Sequence, residues 1–436
     1  MQFAAQVQAC IELIEAQLND NQVSDRSLNR YFRARRYIGS KDRNAIATLF
    51  YAVLRERLLL EYALDQLGVQ PNAAHILAVY FVRLGTPIST IFTDERYQPA
   101  KLDAGVADAL NQLHDFDWNS VPNHVQLNTP EWLYQLFCDT FGDQQAQIEL
   151  QALNTEAPVD LRVNTLKGDL SSCQAILKES GISATQTTMS PIGLRLEQRV
   201  PVTGLDAFKN GLFEVQDQGS QLLALCTQAQ PGQRVIDFCA GAGGKSLALS
   251  ALMDNKGSIV ACDVSGPRLA ELSKRAKRAG AFNIRTLEMT SERDKKLKRH
   301  ASSADVVLVD APCSGTGAWR RNPDARFNLS AERLAQLLEM QTAILESAAR
   351  LVRPGGLLVY ATCSLLQQEN QHQVDKFLNK NNGLYSLIDL NNEAFADYFD
   401  NPAPLAHHYF NATPAQTDTD GFFAAVLKRK EEPKDD

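Results

Sequence analysis

The feature that most constrains this chain is an alternation that starts at Pro231, in which short apolar runs of β character are separated by segments with helical spacing. Val235 to Cys239, Ile259 to Asp263, Ile284 to Leu287, Val306 to Asp310 and Leu357 to Ala361 read as strands, and Phe422 to Leu427 as a last one. Pro267 to Arg278 and Ala331 to Leu351 read as helices, the second closed by Pro354-Gly355-Gly356 as a stop and turn. Strands that are apolar along their whole length are covered on both faces, and their alternation with helices predicts an α/β, doubly wound, mostly parallel sheet. Such a sheet binds ligands beyond the carboxyl ends of its strands, where the strand order reverses.

The rest of the chain has a different rhythm. From residue 3 to about 145 apolar residues recur at three and four, as in Ile46, Leu49, Phe50, Val53 and Leu54, which predicts an all-helical domain over 1–145. After Asn154 to Pro158 come β-rich Val159 to Val163 and Leu194 to Leu196, with a helix near Cys173 to Glu179 between them. This spacing fits a small α+β module over 150–215, leaving 216–430 for the parallel sheet. Asn401 to Pro414 reads as a long loop. The charged end from Lys428 reads as a tail, assigned as disordered over 431–436.

A length of 436 residues calls for two or three domains, and 44% hydrophobic with 22% charged residues is the composition of a soluble globular protein. The net charge of -7 excludes a surface coated in positive potential, so a nucleic-acid partner would have to be met locally. One place for that is Arg26, Arg30, Arg33, Arg35, Arg36, Lys41 and Arg43, interleaved with Tyr31, Phe32 and Tyr37. An RNA-backbone patch and a solvated helix face both account for it. The eight cysteines, at 10, 138, 173, 226, 239, 262, 313 and 363, lack the paired spacing of a zinc or redox site. They predict no metal and a reducing, cytoplasmic setting. No apolar run approaches the roughly 20 residues of a membrane span, and Met1 to Leu18 has the spacing of a folded helix rather than a signal peptide. A soluble monomer is expected.

Chemistry concentrates at three strand ends. The first strand, ending in Asp237-Phe238-Cys239, runs into Ala240-Gly241-Ala242-Gly243-Gly244-Lys245 and then a helix. Glycines there let backbone approach a ligand, and the helix start offers N–H groups. Asp263 ends the next strand, where a carboxylate can accept both ribose hydroxyls of a nucleoside cofactor. No P-loop spacing is present. The fourth strand delivers Asp310-Ala311-Pro312-Cys313-Ser314-Gly315-Thr316-Gly317 and the fifth Thr362-Cys363-Ser364. In a sheet ordered 3-2-1-4-5 these converge on one crevice, so Cys313 and Cys363 are read as functional, whereas the thiols of Cys239 and Cys262 are read as packing. Cytosine C5 is too poor a nucleophile to take a methyl group unaided. A thiolate adding at C6 makes it enamine-like, an acid such as Asp310 can serve ring N3, and a second group must then help the C5 proton and the thiolate leave.

At these residues the chain resembles the RsmB/Nop2/NSUN family of RNA 5-methylcytosine methyltransferases. The Asp310-to-Gly317 and Thr362-Cys363-Ser364 motifs carry the likeness, with Arg320-Arg321-Asn322-Pro323-Asp324 between them. It extends through Leu161-Arg162-Val163-Asn164, Gln216-Asp217-Gln218-Gly219-Ser220, Glu369-Asn370 and Asp420-Gly421-Phe422-Phe423, roughly residues 155 to 430. The resemblance implies a Rossmann-like methyltransferase domain with a seven-stranded sheet and S-adenosyl-L-methionine as cofactor. It implies Cys363 as nucleophile, Cys313 assisting release and Asp310 contacting the base. Cys239, Ala240, Gly241, Ala242, Gly243, Gly244, Lys245, Asp263 and Asp310 would hold the cofactor. The small module would be a ferredoxin-like RNA-binding domain. Lys41-Asp42-Arg43 through Arg55 look like the NusB-like domain of the bacterial members that act on 16S rRNA, the RNA partner this implies. Where the family has Ala-Pro before the double glycine this chain has Gly241-Ala242. The acid expected after the third strand has no counterpart in Glu288-Met289-Thr290-Ser291-Glu292, so no adenine residue is assigned. DNA cytosine methyltransferases place their nucleophile in the fourth-strand Pro-Cys motif alone, and Thr362-Cys363-Ser364 argues for RNA. A transfer RNA substrate and a non-catalytic ribosome-assembly factor are the alternatives.

Overall fold

A computed structural model of the chain describes residues 1–20, 24–381, 383–390, 405–406 and 408–431. The chain divides into two compact units, Met1–Glu156 with Trp319–Ser330, and Ala157–Ala318 with Ala331–Asp436. Among the described residues no helix is long and apolar enough to cross a membrane.

The first unit is helical. Its long helix Ser40–Gln66 places Ile46, Phe50, Val53, Leu54, Leu60 and Leu64 on one buried stripe. Phe3–Asp20 and Ala73–Arg83 pack against it through Val7, Ile14, Ile76 and Leu77. Each such side chain removed from water contributes about 1.5–3 kcal/mol. Trp319–Ser330, far along the chain, completes this unit and lies outside the linear reading of a helical domain over 1–145. Trp319 is fully buried with its ring 5.5 Å from that of Phe137. Arg326, also fully buried, donates to the carbonyls of Leu127, Asn128 and Leu153 at 3.2, 3.0 and 3.4 Å. Asp324 accepts from the hydroxyl and backbone N–H of Ser24 at 2.5 and 3.3 Å.

The second unit contains two sheets. The small one has β1 (Asp160–Val163), β2 (Ala184–Gln186), β3 (Gly193–Leu196) and β4 (Phe213–Val215) in the antiparallel order β2-β3-β1-β4. Helix Leu170–Glu179, started by an Asp169 capping box, covers it over Leu161, Leu177, Leu194 and Phe213. The large sheet has β5 (Arg234–Asp237), β6 (Ser258–Asp263), β7 (Ile284–Glu288), β8 (Ala304–Asp310) and β9 (Val352–Thr362), all parallel. β10 (Tyr385–Leu387), β11 (Leu405–Ala406), β12 (Tyr409–Ala412) and β13 (Phe422–Arg429) extend it antiparallel. The order is β11-β12-β13-β9-β8-β5-β6-β7, with β10 against β13. β5 lies between β6 and β8, which is the reversal point that opens a crevice beyond their carboxyl ends.

Several expectations are corrected. The sheet has nine strands among the described residues, not seven, because β11 and β12 form a further antiparallel edge. Part of the stretch taken as a long loop is therefore strand β12, followed by a short helix at Pro414–Thr417; residues 401–404 and 407 lie outside the described residues. Lys428 and Arg429 belong to β13 rather than to a tail, and 432–436 lie outside the described residues. Pro354-Gly355-Gly356 is not a turn closing the helix. It lies within β9 as an irregularity, where Val352 pairs Ala304 but Leu357 already pairs Val306. Proline has no N–H for the ladder and Gly355 takes φ +75°, so the extra residues bulge out.

Candidate active site

Parallel pairing brings the two thiols together. Asp310 at the end of β8 pairs with Ala361 on β9, so the residues that follow each strand leave the sheet side by side. The sulfurs of Cys313 and Cys363 lie 3.4 Å apart, both half-buried. Glu369, fully buried, holds the Cys313 loop by accepting the Ser314 N–H at 2.8 Å and the Ser314 hydroxyl. Gln341 donates to the same carboxylate at 2.9 Å and to the Pro312 carbonyl at 3.0 Å. The Cys363 loop is fixed by Asn370, which accepts from the Thr362 hydroxyl at 2.6 Å and donates to the Ser364 carbonyl at 2.9 Å. Gly317 donates to the Cys363 carbonyl at 3.0 Å and accepts from Gly421 at 2.8 Å. A Cβ on Gly317 would sit 2.2 Å from the Gly421 carbonyl oxygen, so this contact requires glycine. The sequence does not reveal the work of Glu369 and Gln341; Glu369-Asn370 in a family-like motif is its one signal.

Lys245 pairs with Asp310 at 2.7 Å. Burial pulls the Lys245 ammonium down, but Asp310, with Cys363 and Asp237 behind it, outweighs burial and holds its pKa raised. The Cys313 thiol is pushed well above its ordinary value by its hydrogen bond to Cys363 and by burial. Cys313 is therefore held as the thiol, and Cys363 is among the groups that raise the Lys245 pKa. Cys239 is pushed well up by burial and the surrounding acids, and Cys262 to about 12, mainly by burial. Both thiols are held protonated, and inert thiols behave this way.

Beside the thiols lies a cavity of about 600 Å³ at the carboxyl ends of β5, β6 and β8. Cys239, Ala240, Gly241, Ala242, Gly244, Lys245, Asp263 and Asp310 all line it. Gly243 does not: a Cβ there would meet Leu272 at 2.4 Å with φ +84°, so its glycine serves packing rather than a ligand. Cys313 and Cys363 are not in the lining either, and meet it through their neighbours Pro312, Asp310 and Lys245. Asp263 accepts the N–H groups of Gly241 and Ser265, each at 2.8 Å and each on a different oxygen. That leaves a lone pair on both oxygens for a diol. Asp263 and Asp310 give the cavity a negative field, and Val264, Met289 and Ile344 give it apolar walls. A molecule carrying a sulfonium, an ammonium, a ribose and a purine fits those residues in charge and in chemistry.

A sequence model of 16S rRNA methyltransferase RsmB/F matches residues 224–428, and one of the ferredoxin-like domain of RsmF/B-like methyltransferases matches 129–203. The chain is 31% identical to a probable ribosomal RNA small subunit methyltransferase B of Synechocystis, over 77% of this chain and 81% of that one. It is 33% identical to ribosomal RNA small subunit methyltransferase B of Xylella fastidiosa, over 86% and 81%. Among solved structures it is similar to PH0851, with a TM-score of 0.80 at 25% identity, covering 98% of this chain and 99% of that one. NSun6 from Pyrococcus horikoshii, solved with SFG, shares the fold at 21% identity and a TM-score of 0.60, over 70% and 99%. Fold, cavity and sequence likeness agree: the chain belongs to the RsmB/F family of S-adenosylmethionine-dependent RNA methyltransferases.

Proposed function

We propose that the protein methylates C5 of a cytosine in small-subunit (16S) ribosomal RNA through a covalent adduct between Cys363 and C6. The pair of sulfurs 3.4 Å apart beside the Lys245–Asp310 ion pair carries this reading. The names of the relatives support the choice of RNA. The target base has to be unstacked to reach the crevice. The Cys363 sulfur then forms a bond to C6 while ring electrons move toward C5 and N3, and N3 takes up a proton from solvent that it shares with Asp310. S-adenosylmethionine supplies an electrophilic methyl group. Once Cys363 is bound to carbon, its hydrogen bond to Cys313 is gone and burial is the main force still holding the Cys313 proton. Cys313 passes its proton to water and takes the one on C5 as the C5–C6 double bond re-forms, the N3 proton returns through Asp310 to solvent, the C6–S bond breaks and Cys363 leaves as thiolate. Arg26, Arg33, Arg36 and Lys41, exposed on the helical unit, are suited to RNA phosphates, whereas Arg35 is paired with Glu12 at 2.8 Å and Arg43 is partly buried.

Cys313→Ala is expected to accumulate RNA attached through Cys363, seen as a band that survives denaturation. Cys363→Ala is expected to give no band and no methylation. A band from Cys363→Ala would reverse the roles, and full methylation by that variant would refute the mechanism. Bisulfite sequencing of RNA with and without the gene is expected to show one small-subunit cytosine losing its mark.

A further inference from the structure

The loop that cradles the cofactor has little stiffness of its own. Gly241 and Gly243 both take positive φ, +55° and +84°, and no proline lies between Cys239 and Lys245 to restrict it. Its outward carbonyls are nonetheless pinned by two guanidinium groups. Arg275, on helix Gly266–Ala279, donates to the Ala242 carbonyl at 2.8 Å. Arg162, on β1 of the small sheet and 2% exposed, donates to the Gly244 carbonyl at 2.7 Å and to the Gln216 side chain. Gln216 in turn accounts for part of the cavity wall.

Both arginines are governed by the small sheet. Glu214 on β4, its side chain 4% exposed, accepts from Arg275 at 2.9 Å and from Arg278 at 2.5 Å. The sheet is also fastened to the end of that helix. Asn164 donates to the carbonyls of Gly211 and Ala279, each at 2.8 Å, and Lys167 to those of Asn210 and Arg278 at 2.6 and 2.8 Å. Lys167 thus brings a cation to a helix C-terminus, where the dipole favours it. At Gly211 the two backbones approach so closely that a Cβ would sit 2.2 Å from the Arg278 carbonyl oxygen. A module built only to present a surface to RNA has no need of buried charges aimed at the cofactor loop, and leaving such charges unpaired would be costly.

We propose that Arg162 and Arg275 are positioning residues that clamp the cofactor loop from the small sheet, so that this module sets the affinity for S-adenosylmethionine. The proposal rests on the cofactor reading of the loop and not on cytosine chemistry. Arg278 provides the control, because it shares Glu214 with Arg275 but is not seen to bond a loop carbonyl.

The test is calorimetric titration of S-adenosylmethionine into the full-length protein, with methylation kinetics at saturating cofactor and thermal melting of each variant. Arg275→Ala is expected to raise the cofactor Kd about tenfold, while kcat at saturation and KM for RNA stay at wild-type values; tenfold is about 1.4 kcal/mol. Arg278→Ala is expected to stay within about twofold of wild type. Arg275→Lys, which replaces two guanidinium nitrogens, one on the Ala242 carbonyl and one on Glu214, with a single nitrogen on a shorter side chain, must also raise Kd; a wild-type value there overturns the proposal even if the alanine variant does not fold. An equal loss from Arg278→Ala makes the effect one of general packing and overturns it too. A wild-type protein that takes up no S-adenosylmethionine would sink the cofactor reading itself, a result separable from the others.

Discussion

Asp237 is a residue whose surroundings oppose its chemistry. It is fully buried, and one oxygen accepts the Ser246 hydroxyl at 2.6 Å while the other has no hydrogen-bond partner among the described residues. Burial pushes its carboxyl up to about 7, against a model-compound value of 3.8, with Asp310 and Asp263 adding to the rise and Ser246 opposing it. A raised carboxyl binds its proton more tightly in the folded chain than in the unfolded one. The stability it contributes is therefore complete below about pH 4 and is lost as the pH climbs toward 7. Asp237→Asn is expected to flatten that decline, gaining on wild type by up to roughly 4 kcal/mol between pH 4 and 7. Melting curves of the cofactor-free proteins across that range check it, and parallel declines would contradict it. Gly243→Ala is expected to cost about 1–3 kcal/mol of stability, from a strained φ and the Leu272 overlap, read as a lower melting temperature. At this scale the thiols and Asp310 were legible because each sits in a strand-end motif. Glu369 and Arg275 were not, since their partners, Ser314 and Ala242, come near only in the folded chain.

At the scale of elements, two loops after parallel strands form one structure through Glu369. Its carboxylate is satisfied by Ser314 and Gln341, and its backbone carbonyl by the Tyr360 hydroxyl at 2.6 Å. Glu369→Gln keeps the volume but replaces an acceptor with a donor facing Ser314. It is expected to lower kcat on the order of tenfold to a hundredfold, as a misplaced reacting group does, with little change in cofactor Kd. Single-turnover methylation beside cofactor titration reads both, and an unchanged kcat would remove Glu369 from the positioning of Cys313. The parallel strands were readable because burial on both faces leaves them apolar throughout, as in Val306, Val307, Leu308 and Val309. β12 was not, because Tyr409-Phe410-Asn411-Ala412 is short and set among Pro and His, and its pairing with β13 is a tertiary fact. The bulge at Pro354-Gly355-Gly356 escaped for a like reason: the same residues signal a turn or a bulge, and the register of β8 decides between them.

At the scale of the whole molecule, linear reading missed that the chain returns to its helical unit at Trp319–Ser330. That segment is polar and rich in arginine, the composition of a surface loop, yet Arg326 is fully buried against three carbonyls. Arg326→Ala is expected to destabilise the protein by about 3–5 kcal/mol, as breaking a buried charged network does. Denaturant titration followed by circular dichroism checks the figure, and a loss under about 1 kcal/mol would show that water replaces the guanidinium. The excursion also imposes an order on biogenesis. A chain emerging from the ribosome delivers the α-helices described in the first unit well before Trp319 and Arg326 exist to finish its core. The nascent segment must wait, half-assembled and open to chaperones and proteases, until synthesis has passed through much of the catalytic sheet, so the two units reach maturity together and not in sequence.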